Sequence, residues 1–235
     1  MSEYRNNLLL AALSATDSEA LKAHLKPIKL NQQDILFDAG EAISLVYFPI
    51  NAVVSLVVTL TTGEAIEAAM VGRDGAVGAS AALDGKTSLS RAIVQIGGEG
   101  LSCELDIIKK TAMSSPSFLS LLIRHEQTVY AQAQQSAACN AVHSVEARLA
   151  RWLLRARGLA GVDTLNFTQE FLAEMLGVNR TSVSMVAHTL QQAGIITYRR
   201  GRIQITNVEA LEEVACECHA TIRDQYAKLI HYRPN

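Results

Sequence analysis

Five residues in one short stretch, Arg180, Thr181, Ser184, Met185 and His188, carry groups suited to touching the edges of nucleic-acid bases. On a helical wheel at about 100° per residue they share one side. Val183, Val186, Ala187 and Leu190 gather on the other, as a stripe that must be buried. An exposed face of small polar side chains with a cation at its leading end fits entry into a major groove, where each base pair shows a distinct pattern of donors and acceptors. A second group, Arg199, Arg200 and Arg202, flanks Gly201. Cations at such a tip meet phosphates, which position a duplex without specifying its sequence. Thr168, Gln169 and Ser182, at the starts of two expected helices, complete the phosphate-contacting set.

These residues need a scaffold, and the local sequence predicts one. Thr168 is a good N-cap, with Gln169 and Glu170 in the first turn behind it. Leu172, Ala173 and Leu176 form an inner face, and Gly177 supplies a turn from which a second helix, capped by Asn179, leaves at an angle. Beyond Gly194, the alternation of Ile203 and Ile205 with Arg202 and Gln204 predicts a two-stranded wing, joined to Ile195–Arg199 through Arg200-Gly201.

Three regimes organise the whole chain. After a helical start over Leu8–Lys26, residues 28–103 contain short β-branched runs such as Val53–Leu60 and Ala92–Ile96, punctuated by Gly40, Gly63, Gly72, Gly75 and Gly85. Gly97 to Gly100 reads as a turn. No helical crossovers separate the strands, so an antiparallel roll is expected rather than a parallel sheet. Ser115-Pro116 then starts a helix free of glycine and proline to about Val142, rich in Ala and Gln. Its length and its small residues Ala131, Ala133, Ala137, Ala138 and Ala141 suit a two-fold dimer seam, although packing on its own β domain would use the same pattern. A further helix from Ser144 to about Arg157 places Leu149, Trp152, Leu153 and Ala156 on one face and its arginines elsewhere, with Gly158 to Asp163 closing it.

The fold class is therefore α+β: an antiparallel, jelly-roll-like β-roll over 1–114, a dimerisation helix over 115–143, and a winged helix-turn-helix over 144–235. The net charge is −2 across 235 residues, but residues 144–206 hold eight basic against four acidic groups. A locally basic segment in a mildly acidic chain is the footprint expected of a module that meets phosphate.

Other classes find little support. Met1-Ser2-Glu3-Tyr4-Arg5 does not open a signal peptide, and no apolar run approaches the roughly 20 residues that span a bilayer. Cysteines at 103, 139, 216 and 218 are too scattered for a disulfide scaffold, so a cytoplasmic location is expected. Histidines at 24, 125, 143, 188, 219 and 231 show no H-E-x-x-H spacing, and no nucleophile elbow or phosphate loop is present; the chain is not expected to be an enzyme. Cys216 and Cys218, on the expected last helix near His219, are neighbours at i and i+2 that would face different sides, so no metal site is expected.

With this order of elements the chain resembles the Crp–Fnr family of bacterial regulators. The resemblance is most specific from Phe167-Thr168-Gln169-Glu170 through Gly177-Val178-Asn179-Arg180-Thr181-Ser182-Val183-Ser184 to Ile195-Ile196. It implies a cyclic-nucleotide-binding-like β-roll, a long dimer helix and a C-terminal module that reads DNA from the start of its second helix. Arg180 matches the family's first reading position; Thr181 stands where an acidic residue is common and Met185 where an arginine is common. The resemblance also places a phosphate cassette at Gly75-Ala76-Val77-Gly78 and Arg91-Ala92, with Gly75 and Arg91 as effector-binding candidates. Ala76 replaces the glutamate that would hold a ribose hydroxyl, so cyclic AMP is not expected, and the effector is left unidentified. The cysteine cluster of the family's iron–sulfur members is missing, since no cysteine precedes Cys103. Expected partners are double-stranded DNA, a second copy of the chain through residues 116–142, and RNA polymerase, with no membrane. A ligand-binding adaptor that uses the winged helix for protein contact is the competing function.

Overall fold

The structure, a computed structural model, describes residues 3–230. Met1, Ser2 and residues 231–235, His231 among them, lie outside the described residues, as do the outer ends of the 1–114 and 144–235 segments. A 3₁₀ turn (Glu3–Asn6) and two short helices, α1 (Leu8–Ala11) and α2 (Ala15–Lys22), lead into seven strands. These are β1 (Lys26–Leu30), β2 (Ile35–Phe37), β3 (Leu45–Pro49), β4 (Val53–Thr59), β5 (Ala65–Val71), β6 (Arg91–Ile96) and β7 (Gly98–Glu104). They form two antiparallel sheets, ordered β1-β7-β3 and β2-β6-β4-β5. Gly97 alone makes the turn expected over 97–100; Gly98 and Gly100 lie inside β7, paired to β1.

The β-branched run of β4 does not alternate apolar with polar because both faces of its sheet are covered. Val54 points into the roll interior with Phe37, Ile43, Val46, Phe48 and Val94. Its neighbours Val53 and Val57, with Ala65 and Met70 of β5, join a second core made mostly by the C-terminal module.

Helix α3 (Leu105–Ser114), which the sequence pattern left unassigned, links the roll to α4 (Pro116–Val142), 27 residues and about 40 Å long. Ser115 caps α4 by accepting the Phe118 N–H, with proline at the first position as expected. One face of α4 is buried, by its own roll and by α9: Phe118, Leu121, Leu122, His125, Thr128, Gln132, Ser136 and Cys139. Gln132 belongs to this face, accepting the Met70 N–H at 2.8 Å and donating to the Met70 carbonyl at 3.1 Å.

The C-terminal part runs α5 (Val145–Ala160), β8 (Thr164–Asn166), α6 (Gln169–Leu176), α7 (Arg180–Gln192), β9 (Ile196–Arg199), β10 (Arg202–Ile205), α8 (Val208–Val214) and α9 (Cys218–Ile230). Three expectations are corrected here. Helix α5 runs past Gly158 to Ala160 and is capped at Gly161. The wing has three strands, β8-β10-β9, because Thr164–Asn166 pairs with β10. Helix α9 turns back onto α4, and its Ile222, Tyr226 and Ile230 join the roll's core, so the winged module ends before α9 rather than at 235.

The arginines of α5 do not lie on a solvent face. Arg148 and Arg151 are buried. Arg148 donates to the Leu176 carbonyl, which anchors α5 to the end of α6. Arg155 pairs with Asp74 at 2.6 Å, donates to the Met70 carbonyl and lies over the Tyr226 ring. Arg157 pairs with Asp163 at 2.7 Å. Arg148, Arg151 and Arg155 are therefore taken up inside the fold and Arg157 is half-buried and paired, so the expected phosphate footprint contracts to Arg180, Arg199, Arg200 and Arg202, all exposed.

Candidate nucleic-acid interface

Local chemistry sets the turn between α6 and α7. Thr168 accepts the Phe171 N–H at 3.1 Å, starting α6. Gly177 ends it in the left-handed region at φ 61°, where a side chain would be strained. Asn179 accepts the Ser182 N–H at 2.8 Å and starts α7. Trp152, Phe167 and Phe171 hold the pair from beneath, with ring centroids 4.9 Å apart for Trp152–Phe167 and 5.2 Å for Phe167–Phe171. Val183, Ala187 and Leu190 are buried and Val186 is half-buried, as the wheel predicts.

The opposite face is open. Arg180, Thr181, Met185 and His188 are exposed, Met185 at 67%. An apolar side chain this exposed at the middle of the face is suited to contact with a thymine methyl. Ser184 stands one step back: it is half-buried, its hydroxyl shared between Gln169 Oε1 and the Arg180 carbonyl. It ties α7 to the first turn of α6, and so engages Gln169 as well. Arg180 Nε lies 3.6 Å from Glu170, a loose and exposed pair that a phosphate or base can displace.

A recess of about 440 Å³ brings Thr168, Gln169, Arg180 and Arg200 together with Glu170, Tyr198 and Gly201. Arg200 (φ 52°) and Gly201 (φ 76°) are both left-handed, the backbone of a two-residue hairpin turn, which swings the tip over the start of α6. Arg199 and Arg202 face each other across the hairpin, both exposed. Ser182 is half-buried at the start of α7, its hydroxyl on Asn179. Tyr198 was not singled out by the sequence pattern. Its hydroxyl donates to the Phe167 carbonyl at 3.0 Å and locks the wing to the segment before α6, and burial pushes its phenol up, keeping it a donor. An aromatic residue one position from an arginine-rich tip was the available signal.

The two effector candidates are each engaged by other parts of the chain. Gly75 is buried against α4; a Cβ there would lie 2.4 Å from His125 Nε2, which already accepts the Ala76 N–H at 3.0 Å. The left-handed turn falls at Gly78 instead. Arg91 is held by both oxygens of Asp38, at 2.8–3.2 Å, and lines a cleft of about 250 Å³ between the roll and α6, with Phe171, Glu174 and Met175. Both halves of the expected phosphate cassette are thus occupied by the protein itself.

Residues 147–214 match the family model described as a Crp-like helix-turn-helix domain. The match covers α5 to α8 and stops before α9, where the fold also places the end of the module. Over about four-fifths of the chain the fold is that of solved Crp–Fnr regulators. It superposes on FixK2 from Bradyrhizobium japonicum with TM-score 0.69 at 16% identity, covering 82% of this chain and 98% of that one. Two transcriptional regulators from Thermus thermophilus give TM-score 0.66: TTHA1359, of the Crp/Fnr family, at 21% identity over 81% and 98% of the two chains, and TTHB099, of the Crp family, at 20% over 80% and 96%. No curated protein matches the chain. Among the described residues no helix is long and apolar enough to cross a membrane.

Proposed function

We propose that the chain is a homodimeric, sequence-specific DNA-binding regulator of transcription that works in the cytoplasm, with α7 of the Crp-like domain in the major groove and the wing on the flanking phosphates. The observation that carries this is the open face of α7. Four of the five predicted reading residues are exposed on it, and its N-terminal end shares a recess with the wing-tip Arg200. A protein-binding winged helix would not need its remaining exposed cations gathered at that edge.

The dimer rests on α4. Pro116, Ser120, Ile123, Gln127, Tyr130, Gln134, Ala137 and Ala141 are all exposed and spaced alternately by four and three residues. That is the 3.5-residue period of a two-stranded seam, with Ile123 and Tyr130 as its large exposed apolar members. The seam is two-fold, so two α7 helices would address a symmetric pair of half-sites. The roll would sense its effector, and RNA polymerase would be met once DNA is bound. Cyclic AMP is a poor fit, because Asp38 and His125 take the groups a cyclic phosphate would use and the roll interior is filled by Phe37, Ile43 and Phe48.

Selection of bound fragments from a random duplex pool by the full-length chain tests the proposal. The expected result is one enriched, two-fold-symmetric sequence whose affinity falls steeply with salt as counterions are released. A pool that yields no enriched sequence rejects it.

A further inference from the structure

Four side chains from distant parts of the sequence converge where α4 ends. Cys139 lies in the last turn of α4 and His143 is its C-cap residue, while Cys216 and Cys218 flank the start of α9. Their donor atoms all lie within 4.8 Å of one another. Cys139 Sγ is 3.5 Å from Cys216 Sγ, and Cys218 Sγ is 3.6 Å from His143 Nδ1. A tetrahedral zinc ion with bonds of about 2.3 Å to sulfur and 2.0–2.1 Å to nitrogen sets its ligands roughly 3.5–3.8 Å apart, so both of these pairs stand at edge length. The sequence expectation of no metal assumed that Cys216 and Cys218 share a helix. Cys216 instead precedes α9 in the short connection from α8, and only Cys218 is helical, which lets both thiols face Cys139. His219, the histidine next to the pair in sequence, is outside the cluster.

We propose that Cys139, His143, Cys216 and Cys218 form a closed Cys₃His site for a zinc ion. Binding displaces the three thiol protons to solvent and leaves a zinc–tris(thiolate) centre with one net negative charge. The surroundings suit that charge. Arg148 and Arg151 are buried and close enough to interact with the Cys139 thiol, and the Nε of each lacks a hydrogen-bond partner. Gln135 Nε2 donates to Cys218 Sγ at 3.0 Å. His143 presents Nδ1 to the cluster while its Nε2 lies 3.2 Å from Glu217 Oε1, the carboxylate–histidine arrangement that fixes the tautomer and ring of a metal-ligating histidine.

A disulfide explains less. Sulfurs 3.5 Å apart are far from the bonded length of about 2.05 Å, and such a bond would use two of the four groups and leave Cys218 and His143 without a role. With four protein ligands the site has no open position, which marks it as structural rather than catalytic. Its place suggests the structural task. His143 and Ser144 form the joint between α4 and α5, and the ion would tie this joint to the segment that leaves the Crp-like domain.

Metal analysis of the full-length chain, grown with zinc and kept reduced, tests this. Zinc is expected at one ion per chain and should be lost in C139S, H143A, C216S and C218S, while C103S, whose cysteine lies in β7 far from the cluster, keeps it. Because a variant could fail to fold, cobalt(II) substitution of the unaltered chain decides independently. The expected spectrum has the intense visible bands of tetrahedral cobalt and a thiolate-to-cobalt charge-transfer band. The proposal is overturned by an unaltered chain without stoichiometric zinc, by a C139S chain that retains it, by a weak octahedral cobalt spectrum, or by a Cys139–Cys216 disulfide in the freshly isolated protein.

Discussion

The indole N–H of Trp152 on α5 donates to the carboxylate of Glu67 on β5 at 3.0 Å, across the boundary between the roll and the Crp-like domain. Ser55 donates to the other oxygen of the same carboxylate. Burial pushes the Glu67 carboxyl up to about 7, against the opposing pull of Ser55, Arg151, Trp152 and Arg155. A boundary built around a carboxyl that titrates near neutrality makes the fit of the two parts depend on pH.

Between about pH 4.5 and 7 the folded chain keeps a proton on Glu67 that the unfolded chain has released, so this group makes stability fall as pH rises through that window. Replacing Glu67 with Gln, which cannot ionise, should flatten this slope and stabilise the protein above pH 7 by about 3 kcal/mol. Urea denaturation of both proteins from pH 5 to 8 measures the difference; parallel pH profiles would remove Glu67 from this role.

Asp74 and Arg155 make a second tie across the same boundary, 2.6 Å apart and mostly shielded from solvent. Asp74→Ala leaves a buried guanidinium without its anion and should cost about 3–5 kcal/mol. Thermal or urea unfolding reads this directly, and the loss should shrink when Arg155 is replaced in the same chain.

On α4, Tyr130 is 66% exposed at the middle of the 3.5-residue stripe. If this stripe is the proposed two-fold seam, Tyr130→Glu places like charges face to face in it and should leave the chain monomeric without disturbing the roll, whose contacts lie on the opposite face of α4. Light scattering together with circular dichroism checks both halves of this expectation.

How much was legible follows from how local each signal is. The caps Thr168 and Asn179 and the turn at Gly177 act within a few residues, so the α6–turn–α7 unit could be read directly, and the buried stripe of Val183, Ala187 and Leu190 followed from periodicity alone. The arginines of α5 misled because a charged side chain gives no local sign that a distant Asp74 or a helix-end carbonyl awaits it. The partners of the degenerate phosphate cassette were out of reach in the same way: His125 beside Gly75 and Asp38 beside Arg91 are each about 50 positions away. The thiol cluster lay beyond sequence reasoning, since Cys139 and Cys216 meet across 77 positions only because α9 folds back onto α4.

The wing tip separates positioning from reading. Arg200→Gly removes one cation while the left-handed turn is kept at lower strain. On the enriched DNA sequence it should reduce the slope of log affinity against log salt by about one and weaken all sequences alike.

The most direct test of α7 as the reading element is a base-by-base affinity profile on the enriched site for the unaltered chain and for Arg180→Ala. The variant should lose discrimination at one symmetry-related pair of base positions, by about 1–3 kcal/mol each, with the profile elsewhere unchanged. Uniform weakening on every sequence, with discrimination intact at all positions, would contradict a base-reading role for the leading end of α7.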